Sequence, residues 1–175
     1  MTDEIFDIVD SQDLVTGTAP RAVVHAKRLL HRAAHVLAFD AAGRLYLQRR
    51  AFTKECSPGL WDTSAAGHLA SGEDYATAAR RELEEELGVL PVGELTFLFK
   101  LPASEATGQE FVEIFRAEVT SDVRPDPVEI MDGRWCTTAE VTAWLAQAPA
   151  EFTGTFRLIW ARLGETPSRA FTALR

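Results

Sequence analysis

Residues Gly67 to Val89 read GHLASGEDYATAARRELEEELGV: a glycine loop, a turn at Gly72-Glu73, a helix ending in a run of glutamates, and a stop at Gly88. At about 100° per residue, Glu86, Glu82 and Glu85 lie at roughly −60°, −100° and −160° from Leu83. The three share one flank, and Glu84 falls on the other. Tyr75, Ala79, Leu83 and Leu87 recur at i, i+4 and form the face that packs. Carboxylates at i, i+3 and i+4 repel one another by roughly a few tenths of a kcal/mol per pair. A hard divalent cation turns that repulsion into a binding site, because Mg²⁺ and Mn²⁺ take oxygen ligands. A bare cluster of three glutamates is as readily a solvated acidic face. The glycines and the arginine around it tip the balance.

Working outward, Trp61 to Leu69 leads into this helix as a strand and loop, and Ser71 or Asp74 is placed to cap it. Upstream, the apolar runs Ala33 to Phe39 and Arg44 to Gln48, joined by Asp40-Ala41-Ala42-Gly43, predict antiparallel strands. Pro58-Gly59 marks a turn before Trp61. Glu4 to Val9 and Leu14 to Thr18 predict a small N-terminal hairpin, and Pro20 opens a short basic helix through about Leu30. That segment carries Arg21, His25, Lys27, Arg28, His31 and Arg32 and reads equally as a rim for an anionic ligand or as an ordinary surface helix. Downstream, Gly93 to Leu101 and Glu110 to Val119 are two further strands, and Met131 to Cys136 is the last. Thr138 caps a helix running to about Gln147, Pro149 ends it, and Thr155 to Leu163 forms a final helix before a loosely held tail from Gly164.

The 175 residues carry no internal repeat or linker, so one α/β domain with a core large enough to fold alone is expected. An acidic N-terminus, no membrane-length apolar run, and Cys56 and Cys136 without metal-type spacing predict a cytoplasmic protein with two free thiols. A net charge of −8 argues against general nucleic-acid binding but not against a small phosphate-bearing substrate, which sees only its pocket.

Gly67, Glu73, Arg81-Glu82-Leu83, Glu85-Glu86 and Gly88-Val89 give nine specified positions over 23 residues. In that spacing the stretch resembles the signature of the Nudix hydrolases. The resemblance implies an α/β/α sandwich around a mixed central sheet, of α/β (α+β) class, and cleavage of a diphosphate bond by metal-activated water. It implies that Glu82, Glu85 and Glu86, with the carbonyl of Gly67, bind Mg²⁺ or Mn²⁺. Either Glu82 or a carboxylate outside the signature accepts the proton of the attacking water. Arg81 orients the glutamates, since it can pair with Glu85 at i+4, and Glu73 buttresses the loop before the helix.

Most of the chain further resembles the Nudix subgroup related to isopentenyl-diphosphate isomerase. The residues are Arg49 to Lys54, Pro58 to Trp61, Gly67-His68, Glu129 to Asp132 and Trp135. By this match Arg50 and Lys54 contact the diphosphate, as a guanidinium fork suits phosphate oxygens. His31 and His68 match isomerase metal ligands, and His25 sits near a third. Glu110 matches the carboxylate completing that site; Glu113, three residues on along a strand, points to the opposite face. Glu110 is therefore favoured as the extra ligand or base, alongside Glu82 and Glu85 as catalytic carboxylates, with Glu129 a weaker candidate. Isomerases place a catalytic cysteine one position before the Gly-His pair and lose most of the glutamate cluster. Here that position is Ala66, which has no acid–base chemistry, and all three glutamates are present.

The expectation is therefore a pyrophosphohydrolase acting on a nucleoside diphosphate derivative or a related X–diphosphate. Isomerase activity and a catalytically silent nucleotide-binding module are the alternatives. Specificity is expected from loops around residues 21–32, 104–109 and 149–156, with Phe52, Trp61, Phe152 and Phe156 available to stack a base or, as favoured for Trp61, to fill the core. The N-terminal hairpin is a possible homodimer contact.

Overall fold

Alternating burial in the central strand sets the architecture. In β3 (His31–Phe39), Ala33, Leu37 and Phe39 pack into one core while Ala34, Val36 and Ala38 pack into another, so the strand is buried on both faces. This computed structural model describes residues 4–165.

The main sheet contains β4 (Leu45–Arg50), β5 (Trp61–Asp62), β6 (Ala65–His68), β7 (Thr96–Leu101), β8 (Glu110–Glu118) and β9 (Ile130–Cys136) besides β3. Its order is β5-β4-β3-β8-β7, with β6 pairing β3 and β9 pairing β4. β3 and β8 run parallel from His31↔Glu110 to Phe39↔Glu118, and the other pairs are antiparallel, so the sheet is mixed. α2 (Tyr75–Leu87) covers one face; α3 (Thr138–Gln147) and α4 (Gly154–Glu165) cover the other. This is the α/β/α sandwich expected from the sequence.

β3 and β4 depart from a simple hairpin. They pair antiparallel only at Phe39↔Leu45. Beyond that point Ser64 lies between them: its N–H donates to the Val36 carbonyl, while its hydroxyl accepts from Ala38 N–H (2.7 Å) and donates to the Tyr46 carbonyl (2.6 Å). The strands splay, and β6 takes the freed edge of β3 across Ala33↔His68 to Val36↔Ala65. That substitution brings Gly67 and His68 beside β3.

The N-terminal hairpin, β1 (Ile5–Val9) and β2 (Val15–Pro20), forms a separate two-stranded sheet. Pro20 ends β2 and at the same time stands at the N-cap of α1 (Arg21–Lys27), which stops at Arg28 in the left-handed conformation, short of Leu30. Asp13 fastens the hairpin to three elements. It accepts from Arg32 Nε (2.6 Å) and Tyr75 Oη (3.0 Å) and pairs with Lys100.

At the other end, Thr137 rather than Thr138 caps α3, in a capping box with Glu140. α4 runs on to Glu165, so Gly164 lies in its last turn; the rest of the expected tail, 166–175, lies outside the described residues. Phe152 and Phe156 stack on each other at 5.2 Å inside the core with Trp61, which removes them as base-stacking groups.

Candidate active site

α2 is capped as its sequence requires. Asp74 accepts from Thr77 N–H at 2.9 Å, and Gly88 closes the C-terminus with φ +63°. Ala79, Leu83 and Leu87 are buried, which turns the glutamate flank toward β6. Glu86 is buried: its Oε2 accepts from Gln48 Nε2 (2.8 Å) and from the N–H of Ala66 (3.1 Å). Burial first, then the neighbouring Glu82 carboxylate, pushes its pKa up to about 8. Burial likewise raises Glu82, while Glu85 is more than half exposed. A cation would relieve the cost of ionising this crowded set.

Gly67 is required by close approach. A methyl placed there would overlap the Glu82 carboxylate. The glutamate therefore lies directly against the Gly67 backbone, and a metal shared between them has carboxylate and carbonyl oxygens at hand. Arg81 ties the cluster together, reaching Glu73 (2.9 Å), Glu82 (2.6 Å) and Glu85 (3.0 Å), while Glu73 also accepts from Ala70 N–H (2.9 Å).

A second cluster faces the first. His25 from α1, His31 from β3 and His68 from β6 bring ligand nitrogens within 4.8 Å of one another. Glu110 Oε1 lies 2.9 Å from His68 Nε2 and 3.5 Å from His31 Nε2. Burial pushes the Glu110 carboxyl up, but the neighbouring His31 and His68 rings outweigh it and hold it well below the usual range. His31 Nδ1 donates to the Leu29 carbonyl (2.8 Å), which leaves Nε2 with a lone pair. His31 Nε2 and His25 Nε2 are buried without a hydrogen-bond partner. Three imidazoles, two orphaned ring nitrogens, a carboxylate and a backbone acceptor fixing one tautomer form a donor set that fits a divalent metal. Phe6 of β1 packs on the rings of His68 (4.8 Å) and His31 (6.0 Å), wedging the set in place.

Both clusters open on one cavity of about 970 Å³, within the range of small-molecule sites. The loops expected to set specificity meet here through Arg21, Glu105 to Gly108, and Thr153 to Thr155. Arg50 and Lys54 line it, but neither cation is idle. Arg50 donates to the Cys56 carbonyl (3.1 Å) and to Asp62 (3.5 Å), while Lys54 pairs with Glu129. Glu113 faces away and pairs with Lys100 (3.4 Å).

The residues that sequence reasoning passed over are His35, Asp62, Thr153 and Gln48. His35 sat unnoticed in an apolar run. Its spacing of four from His31 on a strand was the available signal, since i and i+4 share a face.

A family model described as the NUDIX domain matches residues 29–156. The chain belongs to the Nudix family. Curated relatives carry the name isopentenyl-diphosphate Delta-isomerase. That of Burkholderia multivorans is 35% identical over 90% of this chain and 91% of its own length. That of Nocardia farcinica is 39% identical over 84% and 87%. Among solved structures, the Deinococcus radiodurans protein DR0079 superposes with a TM-score of 0.76 at 25% identity, covering 91% of this chain and 98% of that one. A MutT protein from Methanosarcina mazei shares the fold at TM-score 0.62 and 20% identity, over 78% and 94%. This Nudix chain thus sits in a subgroup whose curated relatives carry the isomerase name. No helix among the described residues is long and apolar enough to cross a membrane.

Proposed function

We propose that this Nudix protein is a divalent-cation-dependent hydrolase cleaving the diphosphate linkage of a nucleoside diphosphate derivative or a related X–diphosphate. One observation carries the reading: Glu82 lies against the Gly67 backbone, Glu86 on the Ala66 N–H, and Glu85 is tied to Glu82 through Arg81, at a cavity that also holds Arg50 and Lys54. Glu82, Glu85 and Glu86, with the Gly67 carbonyl, are the ligands assigned to Mg²⁺ or Mn²⁺. A second ion is assigned to His25, His31, His68 and Glu110. Bound there, such ions supply Lewis acidity, easing loss of a proton from water and neutralising phosphate charge.

The chain's own residues do the rest. Gln48 and the Ala66 N–H hold Glu86 in place, and Arg81 aims Glu82 and Glu85. Glu82 is the first choice to accept the proton from water, with Glu85 and Glu110 beside the same cavity. Arg50 grips phosphate oxygens, and Lys54 exchanges Glu129 for the substrate's anion.

The isomerase reading is favoured by the names of the relatives and by the retained histidine cluster. Against it, the methyl of Ala66 cannot transfer a proton. A phosphate-release screen over nucleoside di- and triphosphates, dinucleotides and sugar nucleotides, in Mg²⁺ and Mn²⁺, tests the proposal. Release that Glu86→Gln abolishes supports hydrolysis. Rearranged isopentenyl diphosphate without phosphate release overturns it.

A further inference from the structure

The cavity wall beside the Arg50–Asp62 pair is polar, and its polarity is built. His35 is buried and lines the cavity. On β3 it stands opposite Ala66, whose N–H holds Glu86, so it is one strand spacing from the glutamate cluster. Its Nδ1 lies 2.8 Å from Thr63 Oγ1, and that hydroxyl points its own proton at the Ala65 carbonyl (3.3 Å). With the Ala65 carbonyl open to the Thr63 hydroxyl and an Asp62 carboxylate oxygen 3.9 Å from Nδ1, the surroundings favour the ring proton on Nδ1 and leave Nε2 as the acceptor. Among the described residues Nε2 has no hydrogen-bond partner.

Asp62 backs the ring at 3.9 Å from Nδ1. It is itself fixed by Thr153 Oγ1 (3.1 Å), the Thr63 N–H (2.8 Å) and Arg50. Burial lowers the pKa of His35, which keeps the ring a neutral acceptor. Arg50, of the proposed clamp, Asp62 and His35 line the same cavity, so His35 is within reach of a group attached to a diphosphate held by Arg50.

We infer that His35 is a specificity-determining residue whose Nε2 accepts a hydrogen bond from a hydroxyl or amino group on the moiety attached to the diphosphate. The substrate class is thus a hydroxyl- or amino-bearing X–diphosphate, as opposed to a hydrocarbon diphosphate. This rests on the proposed function for the identity of the clamp. A hydrocarbon chain in this position would leave a buried acceptor unpaired, and sites built around such a group reject analogues that lack the donor.

The experiment compares ω-hydroxyalkyl diphosphates of three to six carbons with alkyl diphosphates of equal length. Binding is measured by calorimetry with the full chain in Ca²⁺, and turnover in Mg²⁺. The variants are His35→Asn, whose amide keeps a donor for Thr63 while removing Nε2, and His35→Phe. The wild type is expected to prefer at least one hydroxyl member by roughly 10- to 100-fold in Kd or kcat/KM, expressed mainly in KM. In His35→Asn that ratio collapses toward one, whereas a merely structural role would weaken both series alike and leave the ratio. If His35→Phe fails to fold, the asparagine variant carries the test alone. A wild-type ratio near one, an unchanged ratio in His35→Asn, or no measurable binding of either series overturns the inference. Selective binding without phosphate release in Mg²⁺ would sink the hydrolase reading and leave His35 in its role. Turnover without selectivity would do the reverse.

Discussion

The two clusters facing the cavity are built by opposite means. Glu82, Glu85 and Glu86 come from five consecutive residues of one helix, and their geometry is that of the helix itself. His25, His31, His68 and Glu110 come from α1, β3, β6 and β8, and they meet only because β6 replaces β4 beside β3 and the hairpin folds down. The first cluster persists wherever α2 forms. The second is hostage to the packing of the whole N-terminal half. Local spacing makes a robust site, and long-range assembly makes one whose ligands are cheap to displace.

The sharpest break in that contrast is Glu86→Gln or Glu82→Gln. Each is expected to lower turnover by about three orders of magnitude or more with the melting temperature retained, because the helix does not need the charge. Near-normal rates in both would end the proposed mechanism. Gly67→Ala tests the contact between Glu82 and the β6 backbone. Pushing Glu82 off its place should cost roughly 100-fold in kcat, visible in steady-state kinetics beside an unchanged circular dichroism spectrum.

His31→Asn addresses the second cluster alone. Mn²⁺ titration should show one site weakened by about 100-fold and the other unmoved, and a uniform loss would mean that the clusters are not separate sites. Asp13→Asn loosens the hairpin from a distance, at a cost of about 2 kcal/mol in chemical denaturation. Burial pushes the Asp13 carboxyl up, but Lys100, Arg32 and Tyr75 outweigh it and hold it below the ordinary value of 3.8. Its contribution is therefore fully present above about pH 4 and lost as pH falls through the folded value, so wild type and variant should converge in stability in strong acid. Smallest is Lys54→Met, for which KM should rise by roughly 5- to 10-fold with kcat little changed.

Much of the frame was legible along the chain. The strands, helices and glutamate flank follow from periods of 2 and 3.6 and from their caps, and their ends shifted by only a residue or a few. Pro20, read as the start of a helix, is at the N-cap of α1 while also pairing with Ile5 as the last residue of β2. The β3–β4 hairpin read from its turn forms there, at Phe39↔Leu45, but Ser64 splays the strands beyond it. A serine between Thr63 and Ala65 gives no sign that it will bridge two strands. His35 was lost in the same way, as a polar residue in an apolar run whose partners, Thr63 and Asp62, stand 28 and 27 positions downstream.

The sequence by itself determined the glutamate cluster, its capping helix and the absence of a thiol beside Gly67-His68, since each depends on residue identity and nearest-turn geometry. The tertiary structure alone decided that three histidines and Glu110 share a site. It also decided that Lys54 is held by Glu129, and that the buried His35 lines the same cavity. Those facts depend on which strand lies beside which. That choice is made by hydrogen-bond closure across the sheet, and spacing along the chain does not encode it.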